Sequence, residues 1–112
     1  MAGNILSKGW MVMISQFDIL SDEDGNLYII VSNNLVNSNS NILWAMVVKQ
    51  ANWRYETDIT LYVKDENVKG IIDTTLITYL NIESETYSII DHAQPRVYKP
   101  IIEAIEAHTE VL

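Results

Sequence analysis

Cysteine is absent from this 112-residue chain, and glycine is scarce. Without thiols the protein can form no disulfide, thiolate nucleophile or zinc–thiolate site. The four glycines stand at positions 3, 9, 25 and 70. Phosphate-binding loops need two or three glycines within a few residues, so that spacing excludes them. Thiol enzymes, zinc-finger proteins and proteins with a glycine-rich nucleotide loop are therefore removed from the possible functions.

Basic residues are also few, since seven Lys and Arg oppose fifteen Asp and Glu for a formal net charge of −8. Binding to nucleic acid depends on Lys and Arg that neutralise phosphates. This charge therefore disfavours RNA as a partner unless the basic residues cluster. It is compatible with simple solubility, with a partner that has a basic surface, or with mimicry of a nucleic acid.

Long hydrophobic runs are missing as well. The longest unbroken apolar run is Ile42–Val48, far shorter than the roughly 20 residues of a membrane-spanning helix. The N-terminal residues carry one lysine and no apolar segment of the signal-peptide kind. We therefore expect a cytoplasmic protein that does not enter a membrane.

The most apolar part of the chain is the stretch from Gly25 to Lys49. Its two runs, Leu27–Val31 and Ile42–Val48, are rich in β-branched and aromatic residues, which favour strands. Between them lies Ser32–Asn41, where Asn and Ser dominate and favour turns over regular structure. The pattern predicts a strand, a polar connection and a central strand on which the other elements pack.

The remaining pattern predicts short strands and one terminal helix. Residues 1–8 are expected to form a loose leader and residues 9–112 a single domain. The helix is predicted to start at Pro100, because a proline costs nothing at a first helical position. We expect a mainly β fold, a mostly antiparallel barrel or sandwich of five to seven strands with a C-terminal α-helix. The other predicted segments are a strand at Trp10–Phe17, a loop at Asp18–Asn26, a strand at Asp58–Val63, a bend at Gly70 and a strand at Tyr87–Asp91.

No metal or cofactor site is predicted. Asp22, Asp24 and Asn26 superficially match the first positions of a calcium loop. The sixth position should be Gly and the twelfth Glu, but this chain has Leu27 and Asn33 there. The two histidines are sixteen residues apart, and His108 on an apolar helix face is more typical of packing than of metal binding. Three aspartates end predicted strands, where catalytic residues can lie, and the sequence favours none of them: Asp18, Asp73 and Asp91.

The best local candidate for recognition is Trp53-Arg54-Tyr55, with Lys49 just upstream. Trp, Tyr and Arg dominate binding hot spots because they combine a large contact area with a polar group. A purely structural role is the alternative, with Trp53 capping the barrel and Arg54 paired to a nearby carboxylate. We predict Lys49, Trp53, Arg54 and Tyr55 as binding residues and assign no catalytic residue.

The order of several apolar segments along the chain is familiar from a known family. The segments are Gly9-Trp10-Met11-Val12-Met13-Ile14 with Asp18, Ile29-Ile30-Val31-Ser32-Asn33 with Leu35 and Asn37, Ile42–Lys49, Lys69-Gly70-Ile71-Ile72, Arg96-Val97 and Pro100–Leu112. Over about residues 9–112, this order resembles the MazF/PemK (Kid) and CcdB superfamily of plasmid-maintenance toxins. The resemblance implies a small SH3-like barrel with a C-terminal helix, a homodimer, and a protein partner that is either a cognate antitoxin or a cellular target.

The ribonuclease signature of that superfamily is missing. Where ribonuclease members carry Arg-Pro at the start of the second strand, this chain has Leu27 and Tyr28. Where they carry Pro and Ser or Thr at the end of the central strand, it has Val48 and Lys49. The CcdB branch, which acts by binding gyrase, would tolerate these losses, although its Trp near the C-terminus is also absent. The resemblance therefore implies a divergent toxin-like protein, and the missing residues disfavour enzymatic activity.

Three hypotheses follow from the sequence. The protein is a toxin-like protein that binds another protein, an active mRNA endoribonuclease with a relocated site, or a catalytically silent phage or plasmid regulator or decoy. The missing arginine and the −8 charge count against the second hypothesis, because phosphate chemistry needs cationic groups.

Overall fold

The computed structural model describes residues 4–7, 10–51 and 55–109. Within these ranges the fold is mainly β with a C-terminal helix, as predicted. No helix of the described part is long and apolar enough to cross a membrane. The elements are β1 (Asn4–Ser7), β2 (Trp10–Met13), β3 (Asp18–Asp22), β4 (Leu27–Ile30), α1 (Asn34–Asn39), β5 (Ile42–Lys49), β6 (Ile59–Thr60), β7 (Ile71–Ile72), β8 (Thr78–Asn81), β9 (Tyr87–His92), a 3₁₀ turn (Pro95–Val97) and α2 (Tyr98–Thr109).

Seven of the strands form one antiparallel sheet in the order β6-β7-β5-β4-β3-β9, with β8 also paired to β5. Just beyond β6, Val63 forms a bridge with Ala93, just beyond β9. The two ends of the strand order are thereby brought together, and the sheet curls into a small barrel. Strands β1 and β2 form a separate antiparallel pair.

Strand β5 is the central strand that the sequence predicted, and it contributes to two hydrophobic clusters. Met46 belongs to one cluster and Ala45 to the other. Neighbouring residues of a strand point to opposite faces, so the clusters lie on opposite faces of the sheet. Helix α2 covers the first cluster through Ile101, which is fully buried.

The predicted loop at Asp18–Asn26 is wrong for its first half, because Asp18–Asp22 forms β3. This strand lies between β4 and β9, and both Ile19 and Leu20 are fully buried. The polar residues at each end made the segment resemble a loop. Pairing on both edges and burial of the two central side chains outweigh that local composition.

The first predicted strand, Trp10–Phe17, is shorter in the structure. Asn4–Ser7, inside the expected leader, pairs with Trp10–Met13. The predicted strand Trp10–Phe17 ends at Met13, and Phe17 adopts a left-handed backbone with φ 72°. The division of the chain into a leader and a domain from residue 9 stays a prediction.

The polar connection Ser32–Asn41 contains the short helix α1. Its N-cap is Asn33, whose side chain accepts a hydrogen bond from the Val36 N–H at 3.0 Å. Asn37 is fully buried, and its side chain bonds to the hydroxyl and carbonyl of Ser32. The side chains that favoured a turn are used here to cap one and a half turns of helix.

Helix α2 begins at Tyr98, two residues before the predicted start at Pro100. Pro100 is its third residue, where the N–H would also lack an intrahelical partner. The early start is therefore free of a proline penalty, and the 3₁₀ turn leads directly into the helix.

Candidate functional site

Lys49 ends strand β5 and lies opposite Ile71 of β7. Just before β7, Gly70 approaches β5 so closely that a Cβ there would be 2.6 Å from Val48 Cγ1 and 2.9 Å from the Lys49 carbonyl oxygen. A larger residue would push the two strands apart. Gly70 thus fixes the end of β5 from which the Lys49 side chain projects.

The ammonium of Lys49 binds a buried carboxylate, that of Asp58, with Nζ 3.0 Å from Oδ2. The Asp58 side chain is fully buried, whereas the Lys49 side chain is 26% exposed. The backbone N–H of Tyr55 donates to the same Oδ2 at 2.9 Å. The Lys49 Nζ also lies 5.2 Å from the centre of the Tyr55 ring, within the range of a cation–π contact. Asp58 therefore holds Lys49 and Tyr55 together.

A second carboxylate, Asp73, lies within the electrostatic reach of Lys49. The pKa of Asp73 is lowered, first by a hydrogen bond from the Thr75 hydroxyl, then by the Thr75 N–H, and also by the charge of Lys49. Among the described side chains of this site, the Lys49 ammonium therefore lies close to two carboxylates, those of Asp58 and Asp73.

The structure brings together two of the four predicted binding residues, Lys49 and Tyr55. The other two, Trp53 and Arg54, lie outside the described residues. Sequence reasoning did not single out Asp58, which fell within the predicted strand Asp58–Val63. A polar residue directly before a strand carries no signal of burial when its partner, Lys49, is nine residues away.

The two positions that carry Arg-Pro in ribonuclease members of the superfamily hold Leu27 and Tyr28 here, and neither is a cation. Leu27 lies opposite Val48 and packs against the hydrophobic cluster beneath α2. Tyr28 directs its hydroxyl to Asp22 Oδ2 at 3.3 Å. Lys49 is thus the cationic side chain that the described structure places at the positions of the ribonuclease signature.

A second polar cluster joins three segments at the other end of the barrel. His92 Nδ1 lies 2.8 Å from Asp18 Oδ1, and His92 Nε2 lies 2.7 Å from the Tyr98 hydroxyl. A carboxylate only accepts hydrogen bonds, so Nδ1 carries the proton and a neutral His92 accepts from Tyr98. The N–H of Ser15 donates to the other oxygen of Asp18 at 2.7 Å. Carboxylate, imidazole and phenol therefore form a continuous chain, with the imidazole 26% exposed.

Phe17 supports this cluster in a strained conformation. Its ring stacks on Tyr98 with the centroids 4.1 Å apart. A left-handed backbone costs a non-glycine residue about 1–2 kcal/mol. Hydrogen bonds on both sides hold it, from its N–H to the Ile30 carbonyl at 2.7 Å and from the Ala93 N–H to its carbonyl at 3.0 Å.

The remaining strand-end aspartate has a structural role. Asp91 accepts backbone hydrogen bonds from Asp65, Asn67 and His92. Burial opposes the charged form of Asp91, but these three N–H donors, with His92 adding a smaller electrostatic contribution, outweigh it, and the pKa is lowered. Asp91 thus organises the turn at residues 65–67.

In the loop that resembled a calcium site, the Asp22 carboxylate is occupied by hydrogen bonds from the loop's own residues. Asp22 accepts hydrogen bonds from the N–H groups of Asp24 and Asn26 and from the Asn26 side chain. It borders a cleft of about 420 Å³ with Glu23 and Glu85. Within the described ranges no group of three His, Cys, Asp or Glu side chains could hold a metal ion.

Comparison with known proteins identifies the fold through structures alone. No family model matches the chain. No curated protein matches it either. The MazE–MazF complex of Deinococcus radiodurans (Form I) matches with a TM-score of 0.75 at 13% identity, covering 85% of this chain and 94% of that one.

Mycobacterial structures give the same result. An endoribonuclease matches with a TM-score of 0.71 at 15% identity, covering 84% of this chain and 88% of that one. An endoribonuclease in complex with its cognate antitoxin matches with a TM-score of 0.68 at 15% identity, covering 84% and 90%. The resemblance drawn from the sequence is confirmed at the level of structure: this chain has the fold of the MazF toxins.

Proposed function

We propose that this protein is a toxin-like protein of the type II toxin–antitoxin kind that acts by binding another protein and not by cutting RNA. The observation that supports it best is the Lys49–Asp58 ion pair. The fold alone does not decide between these mechanisms, and two of the similar structures are endoribonucleases.

The ion pair matters because RNA cleavage gathers negative charge on the phosphate oxygens. A preorganised donor at such a charge is worth about 3–4 kcal/mol. At this site the lysine is bound to Asp58 and also acts on Asp73. Leu27 stands where an arginine would be needed. A phosphate would have to compete with the buried Asp58 carboxylate for the Lys49 ammonium.

Two other described cations, Arg96 and Lys99, are engaged away from the Lys49 site. The guanidinium of Arg96 lies 3.4 Å above the ring of Tyr62. Lys99 Nζ lies 3.8 Å from Glu103 Oε1. With a net charge of −8, the protein repels a polyanion at long range. The same charge accelerates encounter with a partner that has a basic surface.

The surface proposed for binding is centred on Lys49 and Tyr55, and it includes Trp53 and Arg54 of the connecting segment. Tyr55 is 61% exposed, so a partner can cover its ring. Tyr and Arg are enriched among the residues that dominate binding energy. The proposed partner is a cognate antitoxin or a cellular target protein, and the protein itself is proposed to be a cytoplasmic homodimer. Similar structures include MazF with MazE and an endoribonuclease with its antitoxin, which supports an antitoxin as one partner.

Expression in a bacterium tests this function directly. We expect the wild-type protein to slow growth without a change in total RNA integrity. Tyr55→Ala should restore growth, whereas Tyr79→Ala, an exposed tyrosine of β8, is the matched control and should leave the effect intact. No growth effect from the wild type would favour the silent regulator or decoy, and RNA fragmentation would favour an enzyme.

A second candidate function is RNA cleavage from a relocated site at His92. The Asp18–His92–Tyr98 chain favours it, because a carboxylate behind an imidazole is the arrangement that tunes a general base. If this function is correct, RNA fragmentation during expression should occur and should disappear in His92→Ala, while Lys49→Ala should retain it.

A further inference from the structure

Helix α2 is fastened at both ends by the two histidines of the chain. At its start, Tyr98 bonds to His92 on the sheet. At its other end, His108 Nε2 bonds to the backbone carbonyl of Thr74. A carbonyl oxygen only accepts, so Nε2 carries the proton and donates.

The contact at Thr74 continues into the loops of the Lys49 site. Thr74 is buried, and its hydroxyl donates to the Thr57 carbonyl at 2.6 Å. Thr74 follows Asp73, and Thr57 precedes Asp58. The two loops that supply carboxylates around Lys49 are therefore joined to each other and to the last turn of the helix.

Apolar packing between this end of the helix and the loops is incomplete. A cavity of about 310 Å³ lies there, lined by Ala104, Ala107 and His108 of the helix and by Thr57, Thr74 and Thr75 of the loops. Two alanines do not fill the space. Ile101, in the first turn, is by contrast fully buried in the core. Ala104 and Ile105 still pack on the core, and the His108 hydrogen bond ties this end of the helix to the Thr74 loop.

We propose that the last turn of α2 holds the loops of the Lys49 site in place through the hydrogen bond from His108 to the Thr74 carbonyl. When His108 releases Thr74, the Thr74 carbonyl loses its donor and the Thr57 and Asp73 loops gain freedom. Asp58 then no longer holds Tyr55 in one position. This inference does not depend on what the site binds, because it concerns the geometry of the loops alone.

Amide hydrogen exchange tests whether the His108–Thr74 hydrogen bond restrains these loops. The reporters are the N–H of Tyr55, which donates to Asp58, and the N–H of Thr75, which donates to Asp73. Loss of the donor to a part-buried carbonyl should accelerate exchange of both reporters roughly tenfold in His108→Ala. The N–H of Phe17 and Val31, bonded within the barrel, should exchange as in the wild type.

Two further variants make the result specific. His108→Gln retains a side-chain donor and should restore slow exchange at both reporters. Glu103→Gln, on the exposed side of the same helix, should change neither. If His108→Ala does not fold, Thr74→Val removes only the bond to Thr57 and should accelerate exchange at Tyr55.

The proposal is overturned if both reporters exchange at the wild-type rate in His108→Ala. It is also overturned if Phe17 and Val31 accelerate by the same factor as Tyr55, because the helix would then stabilise the whole barrel and not the site. Wild-type exchange at Tyr55 in Thr74→Val would overturn the link between the two loops.

Discussion

The Lys49 site and the His92 cluster each place a basic side chain on a buried carboxylate, but they differ in what surrounds the pair. Asp18 and His92 stand on paired strands, β3 and β9, and lie directly opposite each other. Lys49 stands at a strand end, whereas Asp58 belongs to the segment that connects β5 to β6. Secondary structure therefore fixes the first pair, and loops fix the second. Since binding residues are concentrated on loops carried by a rigid scaffold, the Lys49 site is the better candidate for recognition and the His92 cluster for stability.

The largest expected effect comes from breaking the His92 cluster. His92→Ala leaves the carboxylate of Asp18 and the hydroxyl of Tyr98 without the imidazole that joins them. We expect a loss of about 2–4 kcal/mol in the free energy of unfolding, measured by urea denaturation. A loss below about 1 kcal/mol would show that the cluster is not structural, and would strengthen a catalytic role for His92.

Removing the Lys49–Asp58 contact should lower the free energy of unfolding by less. Lys49→Ala leaves Asp58 buried beside the Tyr55 N–H, but the lysine is itself partly exposed. We expect a loss of about 1–2 kcal/mol. In a double-mutant cycle with Asp58→Asn the two residues should show a coupling energy of about 1 kcal/mol or more. Additive effects would contradict the ion pair.

The stability of the fold should also depend on pH through Asp91. Its pKa is lowered in the folded state, so its contribution is present above the ordinary value of about 4 and is lost as the pH falls through the lowered value. Asp91→Asn should therefore be destabilised at pH 7 and should lose less stability than the wild type between pH 4 and pH 2. Parallel pH curves for the two proteins would contradict this.

The smallest effect is expected on the surface of α2. Lys99 is 86% exposed and lies 3.8 Å from Glu103, and exposed ion pairs contribute little. Lys99→Ala should change the free energy of unfolding by less than about 0.5 kcal/mol. A larger loss would mean that the start of the helix depends on this pair as well as on Tyr98.

The sequence predicted the strands whose own residues are apolar enough to indicate burial. Ile42–Val48 corresponds to β5 and Tyr87–Asp91 to β9, each within one residue. β3 was missed because its polar ends hide two buried side chains, and its partners lie elsewhere in the chain. Local patterns carry no information about such long-range pairing.

The same limit applies to the sites. The Asp18–His92 contact spans 74 residues, and it follows from the register of β3 against β9, which no local pattern specifies. Lys49 and Tyr55 were predicted because their residue types and proximity in sequence favour recognition. Asp58, which joins them, was not predicted, because its burial depends on Lys49 and on the Tyr55 backbone.

The central claim is that the protein acts by contact and not by cleavage. Incubation of the purified protein with a long mixed-sequence RNA, beside the Lys49→Ala and His92→Ala variants, tests it most directly. We expect intact RNA in all three samples, because Lys49, the cation at the expected site, is bound to Asp58. Defined, sequence-specific fragments that form with the wild-type protein and vanish in either variant would contradict it.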